Sequence, residues 1–133
     1  MEQHPRKHFR KRDAILNCLR QTTVHPSAEW IFDALKSEHS DISLATVYRN
    51  LSLFKQQGTI ASLGTVAGVE RFDGNTEPHV HFICTQCASI LDLSDMEVPE
   101  ALNNAASKSA GGKVAGCQLT FTGICGHCLT KTN

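Results

Sequence analysis

Apolar positions in the first half of the chain recur with helical period. Ala14, Ile15, Cys18 and Leu19 predict a helix from about Arg6 to Gln21, behind a basic leading end. After a polar break at Thr22 and Thr23, His25-Pro26-Ser27 supplies a helix start. Ala28, Ile31, Phe32 and Leu35 then form a stripe at i, i+3, i+4, i+7. Ser43 is a fitting N-cap for a third helix that turns Leu44, Val47, Leu51 and Phe54 inward and stops at Gly58. The pattern next changes to period two. Thr59 to Leu63, a glycine-bounded turn from Gly64 to Gly68, and Val69 to Phe72 read as a β-hairpin. Three helices followed by a hairpin is the winged helix-turn-helix order, with the third helix offered to a DNA major groove.

The polar, turn-rich stretch around 74–78 marks a hinge. Beyond it His79 to Cys84 alternates, with His79, His81 and Ile83 on one face, and Ser89 to Leu93 is expected to pair with it. Val98 to Ala110 predicts a helix stopped by Gly111-Gly112, and Lys113 to Phe121 predicts a further strand before Cys125-Gly-His-Cys128. The expected class is therefore α+β. A winged helix-turn-helix would span 1–73, a hinge 74–78, and a small α/β domain, metal-binding and dimerising, 79–133.

Composition sharpens this picture in three ways. The chain has 133 residues, so the second domain is small, and domains of that size rarely bury enough core without a metal, disulfides or a partner chain. Formal charge is zero, yet Arg6, Lys7, Arg10, Lys11 and Arg12 stand against Glu2 alone near the start, which suits a local contact with phosphate. No apolar run is long enough to span a membrane and the leading segment is charged, so a cytoplasmic protein is expected. In that reducing compartment, four of the six cysteines, paired as Cys84/Cys87 and Cys125/Cys128, read first as metal ligands.

Two ligand sets meet in the stretch 71–87. Four thiolates on two Cys-x-x-Cys turns suit a closed, structural zinc site. A thioredoxin-like redox pair or plain buried cysteines are the alternatives, but neither pair follows a βαβ pattern. The second set mixes oxygen and nitrogen: His79 and His81 lie two apart on one strand, with Asp73 just across the hinge, and such ligands suit Fe(II), Mn(II) or Zn(II). His25 and Asp92 are further candidates that spacing cannot place. On the outer face of the third helix Arg49, flanked by Thr46 and Tyr48, is of a type that reads phosphates and base edges, and Arg12 is expected on phosphate.

These residues resemble the ferric uptake regulator family of bacterial metal-dependent repressors. The matching segments are HPSAEWIF from His25, ISLATVYRNL from Ile42, ERFD from Glu70, HVHFICTQC from His79, ILDL from Ile90 and the final CGHC. The resemblance implies a homodimer that binds palindromic operator DNA when metallated. It also implies structural zinc on Cys84, Cys87, Cys125 and Cys128, and a regulatory metal, Fe(II) or Mn(II) with Zn(II) as another occupant, on His25, Asp73, His79, His81 and Asp92. Aspartate at 73 and 92 resembles the peroxide-sensing repressor branch, in which Fe(II) and peroxide oxidise a ligand histidine, here His25 or His79, and DNA is released. The rival within the family is a sensor of iron, zinc or manganese status. A zinc hydrolase built on the mixed site would need a general base, and no H-E-x-x-H arrangement is present, so no enzyme is expected. A constitutive DNA-binding protein with structural zinc alone is the remaining alternative.

Overall fold

The computed structural model describes residues 3–77 and 79–131, with side chains from Arg10 onward. Expectations for the side chains of Arg6 and Lys7, and for Pro78 within the hinge, lie outside the described residues. The chain divides into two compact units between Thr76 and Glu77.

The first unit runs α1 (Gln3–Gln21), α2 (Ala28–Leu35), α3 (Leu44–Gln56), β1 (Ala61–Val66) and β2 (Val69–Asp73). Each later helix starts where a serine side chain satisfies an otherwise unpaired amide. Ser27 Oγ accepts from Trp30 N at 3.1 Å, and Ser43 Oγ accepts from Thr46 N at 3.1 Å. Past the last turn of α3, Gly58 takes φ 75°, the left-handed geometry that releases the chain toward the hairpin. The inward stripes meet in one core, in which Ile15 and Leu19 of α1 pack with Ile31 of α2, with Val47, Leu51 and Phe54 of α3, and with Phe72 of β2. Three helices and a two-stranded antiparallel hairpin make this unit a winged helix-turn-helix.

The hairpin differs from expectation. Its turn is not Gly64 to Gly68; β1 continues through Gly64 to Val66 and only Ala67-Gly68 form the turn, at φ 54° and 84°. Both turn residues are left-handed, as a two-residue hairpin turn of the I′ kind requires. Gly64, at φ 79°, sits instead where the register slips between Ser62 and Gly64, so this glycine serves a bulge within the strand. Glu70 ties the hairpin to α3: its carboxylate accepts from Ser62 Oγ at 2.6 Å and from Lys55 Nζ at 3.1 Å.

The second unit runs β3 (Val80–Cys84), β4 (Ile90–Asp92), α4 (Glu100–Ala110), β5 (Leu119–Gly123) and α5 (Gly126–Lys131). Its sheet has the order β4-β3-β5, with β3 antiparallel to β4 and parallel to β5. Beyond one-residue differences at the ends of β3 and β4, three features depart from expectation. The helix begins at Glu100 because Pro99 holds the extended N-cap position, φ −65° and ψ 137°, and keeps Val98 out of the helix. The last strand is Leu119–Gly123, not Lys113–Phe121: β3 offers five residues, and pairing Val80 with Leu119 uses all of them. The second cysteine pair lies at the start of a short helix, α5, where a bare turn was expected. Buried apolar residues are few in this unit, and α4 has none.

Candidate metal centres and nucleic-acid interface

Sulfur converges at one end of the second unit. The tight turn after β3 carries Cys84 and Cys87, while the exit from β5 into α5 carries Cys125 and Cys128; parallel pairing of β3 with β5 sets Cys84 opposite Gly123. One Sγ from each cysteine lies within 4.8 Å of the others. A tetrahedral zinc–thiolate shell with bonds of about 2.3 Å requires sulfur separations of about 3.8 Å. Cys87 Sγ and Cys125 Sγ are 3.8 Å apart, so the residues fit that ion.

Backbone amides complete the thiolate environment. Cys84 Sγ accepts from Gln86 N at 3.4 Å, Cys87 N at 3.5 Å and Cys125 N at 3.4 Å, and Cys125 Sγ accepts from Cys128 N at 3.5 Å. The Cys87 and Cys125 amides draw the Cys84 thiol down to about 6, and the Ser89 hydroxyl lowers Cys87. Burial, with the other sulfurs adding to it, pushes Cys128 up to about 12. Four clustered thiols thus cannot all ionise by themselves. A divalent cation reverses that penalty for every ligand at once.

The oxygen and nitrogen candidates divide between the units, and within each unit they are brought together. In the first, the loop between α1 and α2 carries His25 and the end of β2 carries Asp73; His25 Nε2 stands 3.4 Å from Asp73 Oδ2, both side chains buried. Asp73 Oδ1 accepts from Asn75 N at 2.9 Å, which leaves the other oxygen facing the imidazole. In the second, Asp92 is the register partner of His81, a pairing that sequence spacing could not supply. Asp92 Oδ1 stands 3.3 Å from His79 Nε2 and 3.2 Å from His81 Nε2. His79 donates from Nδ1 to the Glu77 carbonyl, because a carbonyl can only accept. That bond fixes the tautomer and leaves Nε2 as the lone-pair nitrogen, the orientation of a metal-binding histidine held from behind.

His25 is held against its own preference. It has φ 55°, although a residue before proline favours extended backbone, and such a conformation costs on the order of 1–3 kcal/mol. Arg71 Nε donates to the His25 carbonyl and Arg71 Nη2 donates to the Val24 carbonyl at 2.7 Å, while Phe72 N donates to the Pro26 carbonyl at 2.9 Å. Sequence reasoning missed this role of Arg71, because the contact joins residues 46 apart and has no local signature.

Of the candidate DNA contacts, Arg12, Thr46 and Arg49 line one groove between α1 and α3, together with Lys11, Asn50 and Gln56. Arg49 Nη2 donates to Thr46 Oγ1 at 3.4 Å, which steers the guanidinium along the helix. Tyr48, exposed on the same helix, does not line the groove; its hydroxyl donates to Glu29 Oε2 of α2 at 2.7 Å. That bond raises the Tyr48 phenol above its ordinary value and keeps it a neutral donor.

Comparison with known proteins places the chain among bacterial metal regulators. The ferric uptake regulator family model matches residues 5–122. The chain is 35% identical over 123 residues to the peroxide operon regulator of Bacillus subtilis, covering 92% of this chain and 84% of that protein. It is 35% identical over 121 residues to the peroxide-responsive repressor PerR of Staphylococcus aureus, covering 91% and 81%. Among solved structures, the Campylobacter jejuni peroxide stress regulator superposes with a TM-score of 0.81 at 28% identity, over 96% of this chain and 95% of that one. The chain belongs to the ferric uptake regulator family.

Proposed function

We propose that this chain is a metal-dependent transcriptional repressor that senses peroxide: a cytoplasmic homodimer that holds operator DNA while metallated and releases it when a ligand histidine is oxidised. The observation that carries the reading is the presence of chemically distinct ligand clusters: all-thiolate on Cys84, Cys87, Cys125 and Cys128, and imidazole–carboxylate on His79, His81 and Asp92 in the second unit and on the His25–Asp73 pair in the first. A closed sulfur shell suits a permanent structural ion, zinc; imidazole and carboxylate suit an exchangeable one, Fe(II) or Mn(II), with Zn(II) also accommodated. The peroxide-responsive relatives support peroxide over metal status as the signal.

In this reading the domains are a winged helix over 1–73, a hinge over 74–78 and a dimerisation domain over 79–133. His25 and Asp73 join His79, His81 and Asp92 on one regulatory metal. Neither set alone fills a five- or six-coordinate shell, so the shared ion links the DNA reader to the dimeriser and favours the arrangement with both recognition helices spaced for a palindrome. Bound Fe(II) would activate hydrogen peroxide, so that overall one peroxide oxygen enters an imidazole C–H bond of His25 or His79 and the other leaves as water. Oxidation of His25 or His79 removes a ligand, the link is lost, and Arg49, Thr46 and Tyr48 of α3, with Arg12, leave the duplex. Dimerisation has apolar side chains to use: Leu91, Leu102 and Phe121 of the second unit are each more than 40% exposed.

The test is the mass of anaerobically Fe(II)-loaded protein after brief peroxide exposure. One added oxygen on His25 or His79, accompanied by DNA release, is expected. Unmodified histidines, with release on chelation alone, would instead establish a sensor of iron, zinc or manganese status.

A further inference from the structure

We propose that Arg71 is a positioning residue for the regulatory site: it fixes the backbone at His25 so that the imidazole faces Asp73, and thereby sets metal affinity. This rests on the reading of His25 as a ligand. In an extended backbone successive carbonyls point to opposite sides, whereas in helical and left-handed conformations they point roughly the same way. Arg71 draws the carbonyls of Val24 and His25 to one guanidinium, so it selects a compact conformer and disfavours the extended one that the following proline would otherwise impose.

Strand geometry makes the arrangement a single device. Alternation along β2 puts Arg71 and Asp73 on one face and turns Phe72 into the core. Three consecutive residues of β2 therefore grip three consecutive residues of the loop: Arg71 holds the carbonyls of Val24 and His25, Phe72 N–H holds that of Pro26, and Asp73 faces the His25 ring at 3.4 Å. Arginine suits the task because its planar fork spans two acceptors, which an ammonium meets only as a point charge.

The experiment measures Mn(II) affinity of the full-length, zinc-loaded protein by competition with a chelating dye, since manganese binds without the peroxide chemistry. Arg71→Met keeps the side-chain stem and removes the donors; groups that orient a metal ligand typically change affinity 10–100-fold, and a loss in that range is expected. Arg71→Lys is expected to fall between Arg71→Met and the parent, and it decides the matter if Arg71→Met does not fold. In a His25→Ala background, Arg71→Met should change affinity less than about twofold, because a positioning residue has no ligand left to position. If His25→Ala weakens binding but both Arg71 variants bind as the parent does, the positioning role is overturned and the ligand reading stands. An equal loss in both backgrounds would make Arg71 a general structural residue. Parent-like binding by His25→Ala would remove the ligand reading and this proposal with it.

Discussion

Cys84→Ser is expected to unfold the second unit while leaving the first folded. Among the described residues five apolar side chains are buried in that unit, Val80, Cys84, Ile90, Cys125 and Cys128, and three of them are the thiols themselves. Fully burying a valine or isoleucine contributes about 1.5–3 kcal/mol, so Val80 and Ile90 together supply roughly 3–6 kcal/mol. A structural zinc on thiolates contributes about 10–16 kcal/mol of binding free energy that is also folding free energy. Losing one of four ligands therefore removes more than the remaining core provides, and α4, with no buried residue, has nothing to hold it. The exposed apolar residues cannot compensate through dimer contacts, since β4 and β5 reach their places only through β3 and its cysteine turns. Amide exchange followed by mass spectrometry checks this residue by residue: protection of Ile83, Cys84 and Phe121 should fall to that of unfolded chain in Cys84→Ser, while that of Ile31 and Leu51 persists. Zinc-free Cys84→Ser that keeps parent-like protection in β3 and β5 would refute the argument that metal, not core, holds this unit.

Two further outcomes follow from the first unit. The Ser62 hydroxyl, with Lys55 beside it, holds the Glu70 carboxyl below its ordinary 4.5. A depressed folded-state value means that this stabilisation is present above the ordinary value and is lost as pH falls through the folded one. Glu70→Gln should thus lower the urea midpoint at pH 7 by the equivalent of at most about 1 kcal/mol, given the exposure of the pair, and the gap to the parent should close as pH falls through the lowered folded-state value. Arg49→Ala should weaken binding to duplex selected in vitro by the parent and reduce the slope of log affinity against log salt by about 1 if its contact is with phosphate. An unchanged slope together with relaxed base preference would assign Arg49 to base edges instead.

Much of the first unit was legible because its determinants are local. The stripes of Ala28–Leu35 and Leu44–Phe54 and the capping serines at 27 and 43 act within one or two helical turns, and the structure places them as the pattern predicts. Gly64 misled because a glycine in a strand bulge and a glycine in a turn look alike in sequence; the register of the partner strand separates them. In the second unit β5 was displaced because a parallel strand is defined by a partner nearly forty residues earlier, not by its own alternation. The cysteine set declared itself by spacing, whereas Asp92 needed the cross-strand register with His81. Arg71 was invisible for the most physical of reasons: its partners are backbone carbonyls, which every residue possesses.

The parallel pairing of β3 with β5 also has a consequence in time. Cys87 and Cys125 are 38 residues apart, and at a synthesis rate of about 5–20 residues per second the first cysteine pair waits roughly 2–8 s for the second. The helices and hairpin of the first unit, whose last strand ends at Asp73, are already synthesised in that interval, and β4 is at hand to pair with β3, but β3 still lacks its second neighbour, β5. A nascent chain thus carries a finished reader ahead of two unshielded thiols. A burst of oxidant at that stage would strike the chain before it had acquired the means to report it.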